Sequence, residues 1–188
     1  MRGLVFTEFL EMVEDTFDYD MVDTLIDNTQ PKSGGAYTAV GSYDYQELEN
    51  MVVELSAQSG MAVGDLLQAF GKHLAGVFTQ NFAQFFVEAG SALALFREID
   101  RHIHVEVKKL YPDAELPDFK YEDATADTPF KLHYRSERNL YLLAYGLITA
   151  CFEYYSEPHK VDVKHWQEGS VHCATFEIRP EVSSQVRH

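Results

Sequence analysis

The stretch Ala92–Phe119, ALALFREIDRHIHVEVKKLYPDAELPDF, decides how the rest of the chain is read. Its apolar residues recur at helical spacing as far as Leu110, and Tyr111-Pro112 followed by Pro117 ends the pattern. The reading is one long helix with an exit turn. With Ile103 at the centre of a face and about 100° per residue, Phe96, Ile99, Val107 and Leu110 fall on that face, which is the expected core side. His104 then lies on one flank, near Leu93, Val107 and Tyr111. His102 lies on the other, near Glu106 and Lys109.

Two residues apart on a helix, the imidazoles point about 200° apart, so they cannot grip one ion together. A single helical imidazole is different, because a haem iron needs only one proximal ligand of this kind. Spacing alone favours a plainer reading, a boundary histidine whose nitrogens are met by backbone or water. Asp100 and Arg97 approach the His104 flank, which leaves room for a small hydrolase using a histidine with Asp100. No nucleophile motif accompanies the pair.

Before this stretch the chain reads as helices: Gly3–Phe17, Asp20–Asp27, Asp44–Ser59 and Val63–Phe70, with Gln30-Pro31 and Ser33-Gly34-Gly35 as breaks. Gly71 is expected to mark a kink before a further helix, Leu74–Val87, and Ser91 to cap the long helix. After Pro117 the period changes. Phe119 and Tyr121, then Phe130, Leu132 and Tyr134, alternate with polar residues as strands do, across an Asp123–Pro129 connection. Asn139–Tyr155 returns to helix. Val161 and Val163, then Val171, Cys173, Phe176 and Ile178, read as two more strands joined at Glu168-Gly169. The fold class is α+β: a helical N-terminal half packed on a C-terminal half with a four-stranded antiparallel sheet. Residues 1–60 and 61–180 are expected as subdomains of one domain, with 181–188, and Pro180 before them, as a loose tail.

The 188 residues suit one domain, and 46% hydrophobic content implies a core. A formal charge of −15 repels phosphate backbones and anionic lipid, so neither nucleic acid nor membrane is an expected partner. Two cysteines are too few for a disulfide framework, and no run of 18 or more apolar residues spans a membrane. The N-terminus reads as an amphipathic helix, not a leader. A cytoplasmic location is the simplest expectation.

A second constellation lies at the junction of a strand and the following helix, Tyr134-Arg135-Ser136-Glu137-Arg138. Tyr134 and Ser136 share a strand face. With Arg138 they offer two hydroxyls and a guanidinium, a good trap for a carboxylate. A solvated turn that caps the helix is the plainer alternative.

Tyr134-x-Ser136-x-Arg138, with a helical histidine before Tyr111-Pro112 and Pro117, resembles the H-NOX domain, the haem–nitric oxide/oxygen binding sensor module of soluble guanylate cyclase and of bacterial NO sensors. Met1-Arg2-Gly3 and Ala69-Phe70-Gly71 extend the resemblance over nearly the whole chain. It implies haem b between the two halves. It implies His104, seven residues before Tyr111, as the iron ligand, and Tyr134, Ser136 and Arg138 as holders of the propionates. Pro117 matches a proline that presses on the porphyrin. Leu143 stands where oxygen-binding relatives place a tyrosine, and Val5, Phe9, Leu74, Phe78 and Leu147 are the implied apolar pocket. The resemblance therefore implies a non-enzymatic NO sensor that excludes O2, with release of His104 as its signal and a histidine kinase or diguanylate cyclase as effector. The alternatives are an O2- or redox-responsive haem sensor and, outside the family, a haem-free adaptor. Some relatives carry zinc. Here Asp162, His165 and Cys173, with Tyr141 nearby, give a mixed and incomplete ligand set.

Overall fold

The computed structural model describes residues 1–110, 112 and 114–181. Three helices open the chain: α1 (Gly3–Thr16), α2 (Tyr19–Thr29) and α3 (Tyr45–Ser59). Asp18 caps α2 by accepting from the Met21 N–H, and Asp44 caps α3 by accepting from that of Gln46. Their apolar faces bury Phe6, Phe9, Val13, Leu25, Leu48, Met51 and Leu55 in a first core. The polar linker between α2 and α3 is tied down by Glu47. Its buried carboxylate accepts from the Ser33 N–H, the Ser33 hydroxyl and the Tyr37 hydroxyl, which satisfies a charge that burial would otherwise make costly.

The expected kink at Gly71 does not occur. Helix α4 runs unbroken over Val63–Asn81. Gly71 instead marks a close approach: a Cβ there would lie 2.1 Å from the Leu143 carbonyl oxygen. The chain breaks later, at Phe82, which leaves helical geometry and divides the expected Leu74–Val87 helix into α4 and α5 (Ala83–Ala89). The break lets Phe86 turn into a second core against Tyr154 and Tyr155, while Leu66, Phe70 and Leu74 stay in the first.

The second core sits on a four-stranded antiparallel sheet. Strands β1 (Asp118–Glu122), β2 (Phe130–Ser136), β3 (His159–Glu168) and β4 (Val171–Pro180) take the order β1-β2-β4-β3. Alternation puts Phe130, Leu132 and Tyr134 of β2 beside Ile178, Phe176 and Ala174 of β4 on the inner face. Helix α8 (Tyr141–Tyr154) covers that face with Ile148, Cys151 and Phe152, and sends Leu143 into the first core. Helices α4 and α8 thus join the two cores. Strand β4 includes Pro180, and the Glu181 N–H donates to the Pro158 carbonyl at 2.9 Å. Pro180 is therefore a strand residue and not part of a tail, and the expected tail over 182–188 lies outside the described residues.

The long helix is interrupted. Ser91 caps α6 (Ala92–Arg97) as expected. A π-helical turn (Ile99–Ile103) follows, and then α7 (His104–Leu110). The wheel drawn at 100° per residue fails across this turn, because a π turn takes in an extra residue. The expected core face is correspondingly thin. Phe96 is buried, whereas Ile99, Ile103 and Val107 are only half-buried, since this segment packs mainly on edge strand β1. Tyr111 of the exit turn lies outside the described residues.

Candidate functional site

His104 is the first residue of α7, directly after the π turn. Its side chain is 17% exposed, and Nδ1 lies 2.7 Å from Asp100 Oδ1. Asp100 uses its other oxygen to accept the Phe119 backbone N–H at 2.7 Å, so one carboxylate fixes both the imidazole and the start of β1. With Nδ1 against the carboxylate, Nε2 is the nitrogen left to coordinate. Burial lowers the His104 pKa below the ordinary histidine value, against the pull of Asp100. The ring is therefore held neutral near pH 7, the form that ligates metals. His102 is 61% exposed and pairs with Glu98 outside this site. Arg97 also turns away: Nε and Nη2 both donate to Asp123 Oδ1.

The Phe119 ring connects His104 to the second constellation. Its centroid is 6.0 Å from that of His104 and 5.7 Å from that of Tyr134, which it meets edge-on. The buried Tyr134 hydroxyl donates to the Arg138 carbonyl at 2.8 Å, and the Ser136 hydroxyl accepts the Arg138 N–H at 3.1 Å. The two hydroxyls thus clamp the Arg138 backbone. The guanidinium, 15% exposed, donates to the Glu115 carbonyl at 3.2 Å and pairs with the Glu115 carboxylate. A carboxylate is thus a ligand this arginine accepts. Pro117 is half-buried between Glu115 and β1.

Phe9, Leu74 and Leu143 are buried together in the first core, and Val5, Phe78 and Leu147 pack against them. Phe78 also touches the second core, to which Tyr134, Phe119 and Ile103 belong. The two tyrosines flanking Leu143 face elsewhere. Tyr141 stacks on His165 with centroids 4.5 Å apart, and the Tyr145 hydroxyl donates to the Val161 carbonyl at 3.4 Å. His165 and Cys173 occupy opposite faces of the sheet, since His165 pairs with Ala174 across the β3–β4 ladder. Among the described residues no three His, Cys, Asp or Glu side chains come together as a metal-holding group.

Three participants escape a reading of the sequence: Phe119, Glu115 and Tyr45, whose ring lies 5.7 Å from the Arg138 guanidinium carbon. Phe119 signals only a strand, Glu115 only a loop carboxylate and Tyr45 only a helix start. No local pattern distinguishes them.

The fold and this arrangement define a class of gas-sensing haem domain. The chain belongs to the haem-NO-binding family, which matches residues 2–165 and whose domains bind haem. Among solved structures it is similar to the unliganded Fe(II) H-NOX protein of K. algicida, with 32% identity, a TM-score of 0.87, and 98% of this chain and 100% of that one covered. An H-NOX from Shewanella woodyi, in the Fe(II)CO state with IWP-051 bound, is 36% identical at a TM-score of 0.78, covering 100% of this chain and 99% of that one. An H-NOX protein from S. oneidensis shares the fold at 23% identity and a TM-score of 0.81, with 95% and 99% covered. No curated protein matches. The residues present fit haem. They offer one neutral imidazole oriented through Nδ1, one arginine already paired with a carboxylate, and a wholly apolar cluster on the α4–α8 side. Among the described residues no helix is long and apolar enough to cross a membrane.

Proposed function

We propose that this protein is an NO sensor: it binds NO at ferrous haem, excludes O2, and regulates a separate effector through release of His104. When bound, the haem supplies an iron with one position open to a small gas. His104 would give Nε2 to that iron; burial favours the neutral imidazole, and Asp100 aligns it through Nδ1. Arg138, with Tyr134 and Ser136 fixing its backbone, takes the propionates in place of the Glu115 carboxylate. Pro117, in the loop before β1, would press on the porphyrin. Val5, Phe9, Leu74, Phe78, Leu143 and Leu147 line the gas side and keep water out.

The observation that carries the selectivity is the direction of the α8 tyrosines. Retaining O2 calls for a hydrogen-bond donor where negative charge builds on the gas, and NO needs one far less. Leu143 provides none, and Tyr141 and Tyr145 are engaged with His165 and Val161. Release of His104 would let its helix and the N-terminal helical half shift against the sheet half. Such a two-state element is biased by ligand and read by a partner. The partner is a bacterial histidine kinase or diguanylate cyclase in the cytoplasm.

Absorption spectra of the ferrous protein, with NO and in air, test this reading. The expected result is a Soret band that moves on NO addition, and a ferrous spectrum that air converts to no stable new form. A stable spectrum in air transfers the reading to the O2- or redox-responsive alternative, and absence of a Soret band removes haem altogether.

A further inference from the structure

Arg138 is the one cation of the Tyr-x-Ser-x-Arg motif, yet that motif does not account for the position of its side chain. Tyr134 and Ser136 reach Arg138 through its backbone. The guanidinium itself is held by two groups from other parts of the chain. Glu115, from the loop after α7, meets its donors. Tyr45, the first residue of α3, presents its ring to the guanidinium carbon at 5.7 Å. That distance lies within the range of a cation–π contact.

From these contacts we infer that Tyr45 is a haem-positioning residue: its ring holds the Arg138 guanidinium in place for a propionate and ties α3 to the haem site. The inference rests on the reading of Arg138 as a propionate ligand. Three observations support it. The ring is neutral and stays so, because burial pushes the Tyr45 hydroxyl up to about 12; Glu49 and Tyr134 add to this, while Arg138 and the Asn139 backbone pull the other way. The guanidinium is only 15% exposed, so the contact is largely shielded from solvent. Finally, Glu115 is 76% exposed and can swing aside, whereas Tyr45 is anchored at the capped start of a helix that buries Leu48, Met51 and Leu55. When a propionate replaces the Glu115 carboxylate, the ring remains. An arginine whose rotamers are already restricted loses less freedom on binding.

The test is the rate of haem transfer from the full-length haem-loaded protein to apomyoglobin. Tyr45→Met, which keeps volume without a π face, is expected to lose haem about three- to tenfold faster. Tyr45→Phe should stay close to the parent rate, because it keeps the ring. In an Arg138→Ala background, Tyr45→Met should add nothing. An unchanged rate in Tyr45→Met overturns the inference. So does the same acceleration with and without Arg138, which would mark a merely structural role. Should Tyr45→Met lower the thermal midpoint of the haem-free protein, Tyr45→Leu repeats the comparison, and the dependence on Arg138 still decides. If Arg138→Ala alone leaves haem loss unchanged, the propionate reading falls and this inference with it. If Arg138→Ala accelerates loss and Tyr45→Met does not, only the role of Tyr45 is lost.

Discussion

Gly71 of α4 and Gly146 of α8 face each other where the two helix backbones touch. A Cβ on Gly71 would lie 3.0 Å from Gly146 Cα and 2.1 Å from the Leu143 carbonyl oxygen, and one on Gly146 would lie 2.1 Å from the Gln68 carbonyl oxygen. The obstacles are backbone atoms, so no side-chain rotation relieves them. This contact joins the helix carrying Leu74 and Phe78 to the helix carrying Leu143 and Leu147. It therefore sets the spacing of the apolar cluster that these four side chains share.

Gly71→Ala and Gly146→Ala should each destabilise the protein by about 1–3 kcal/mol, the usual cost of overpacking. Gly76 lies in the same helix as Gly71, and a Cβ there would meet nothing within 4 Å. Gly76→Ala should stabilise by about 0.5–1 kcal/mol through helix propensity. Urea unfolding of the three variants checks both signs. A Gly71→Ala variant as stable as the parent would show that the helices can part at no cost.

Replacement of His104 by Gly should remove the protein–iron bond while Tyr134, Ser136 and Arg138 retain haem, and added imidazole should restore the parent spectrum. Asp100→Asn should weaken the bond, because a neutral amide polarises the imidazole less than a carboxylate does. Resonance Raman of the iron–histidine stretch reads this as a shift to lower frequency. His102→Gly should leave the spectrum unchanged, and a change there would reassign the ligand.

On the proposed NO-sensor reading, Leu143→Tyr introduces a donor on the gas side. The variant should form a stable spectrum in air where the parent does not, at a stability cost of about 1–3 kcal/mol for the larger side chain in a buried position. If air leaves the Leu143→Tyr spectrum as it leaves that of the parent, Leu143 does not face the gas.

Burial pushes the Cys151 thiol up to about 12 from an ordinary value of 9.0. The folded state therefore keeps its proton in a range where the unfolded state has lost it. Stability is unaffected below pH 9 by this group and falls as pH rises from 9 towards 12, with a slope of at most about 1.4 kcal/mol per pH unit. Denaturant midpoints of parent and Cys151→Ala across that range should converge as pH rises. Cys151 should also resist alkylation at about pH 8 until the protein unfolds.

Much of the architecture is legible in the residues alone. The change from helical spacing before Pro117 to alternation at Phe119, Phe130, Leu132 and Tyr134 marks α+β, because each period reflects which side chains one element can bury. Ser91 and Asp44 announce helix starts because their oxygens satisfy nearby N–H groups. Through the resemblance to the H-NOX family, His104 stands out by its spacing to Tyr111-Pro112, and Tyr134, Ser136 and Arg138 by a motif five residues long. All these signals are local.

The opening stretch shows where such signals end. By itself the sequence determined a helical segment with one favoured histidine, an apolar Leu143 and a carboxylate trap. Only the tertiary structure decided that the helix passes through a π turn at Ile99–Ile103, that Asp100 joins His104 to Phe119, and that Tyr145 turns to Val161. It also placed the Gly71 backbone against α8 and the Tyr45 ring over Arg138. The physical reason is common to all of these. Each depends on atoms from elements distant in sequence arriving at one place, and periodicity records only that a face is buried, not what it is buried against.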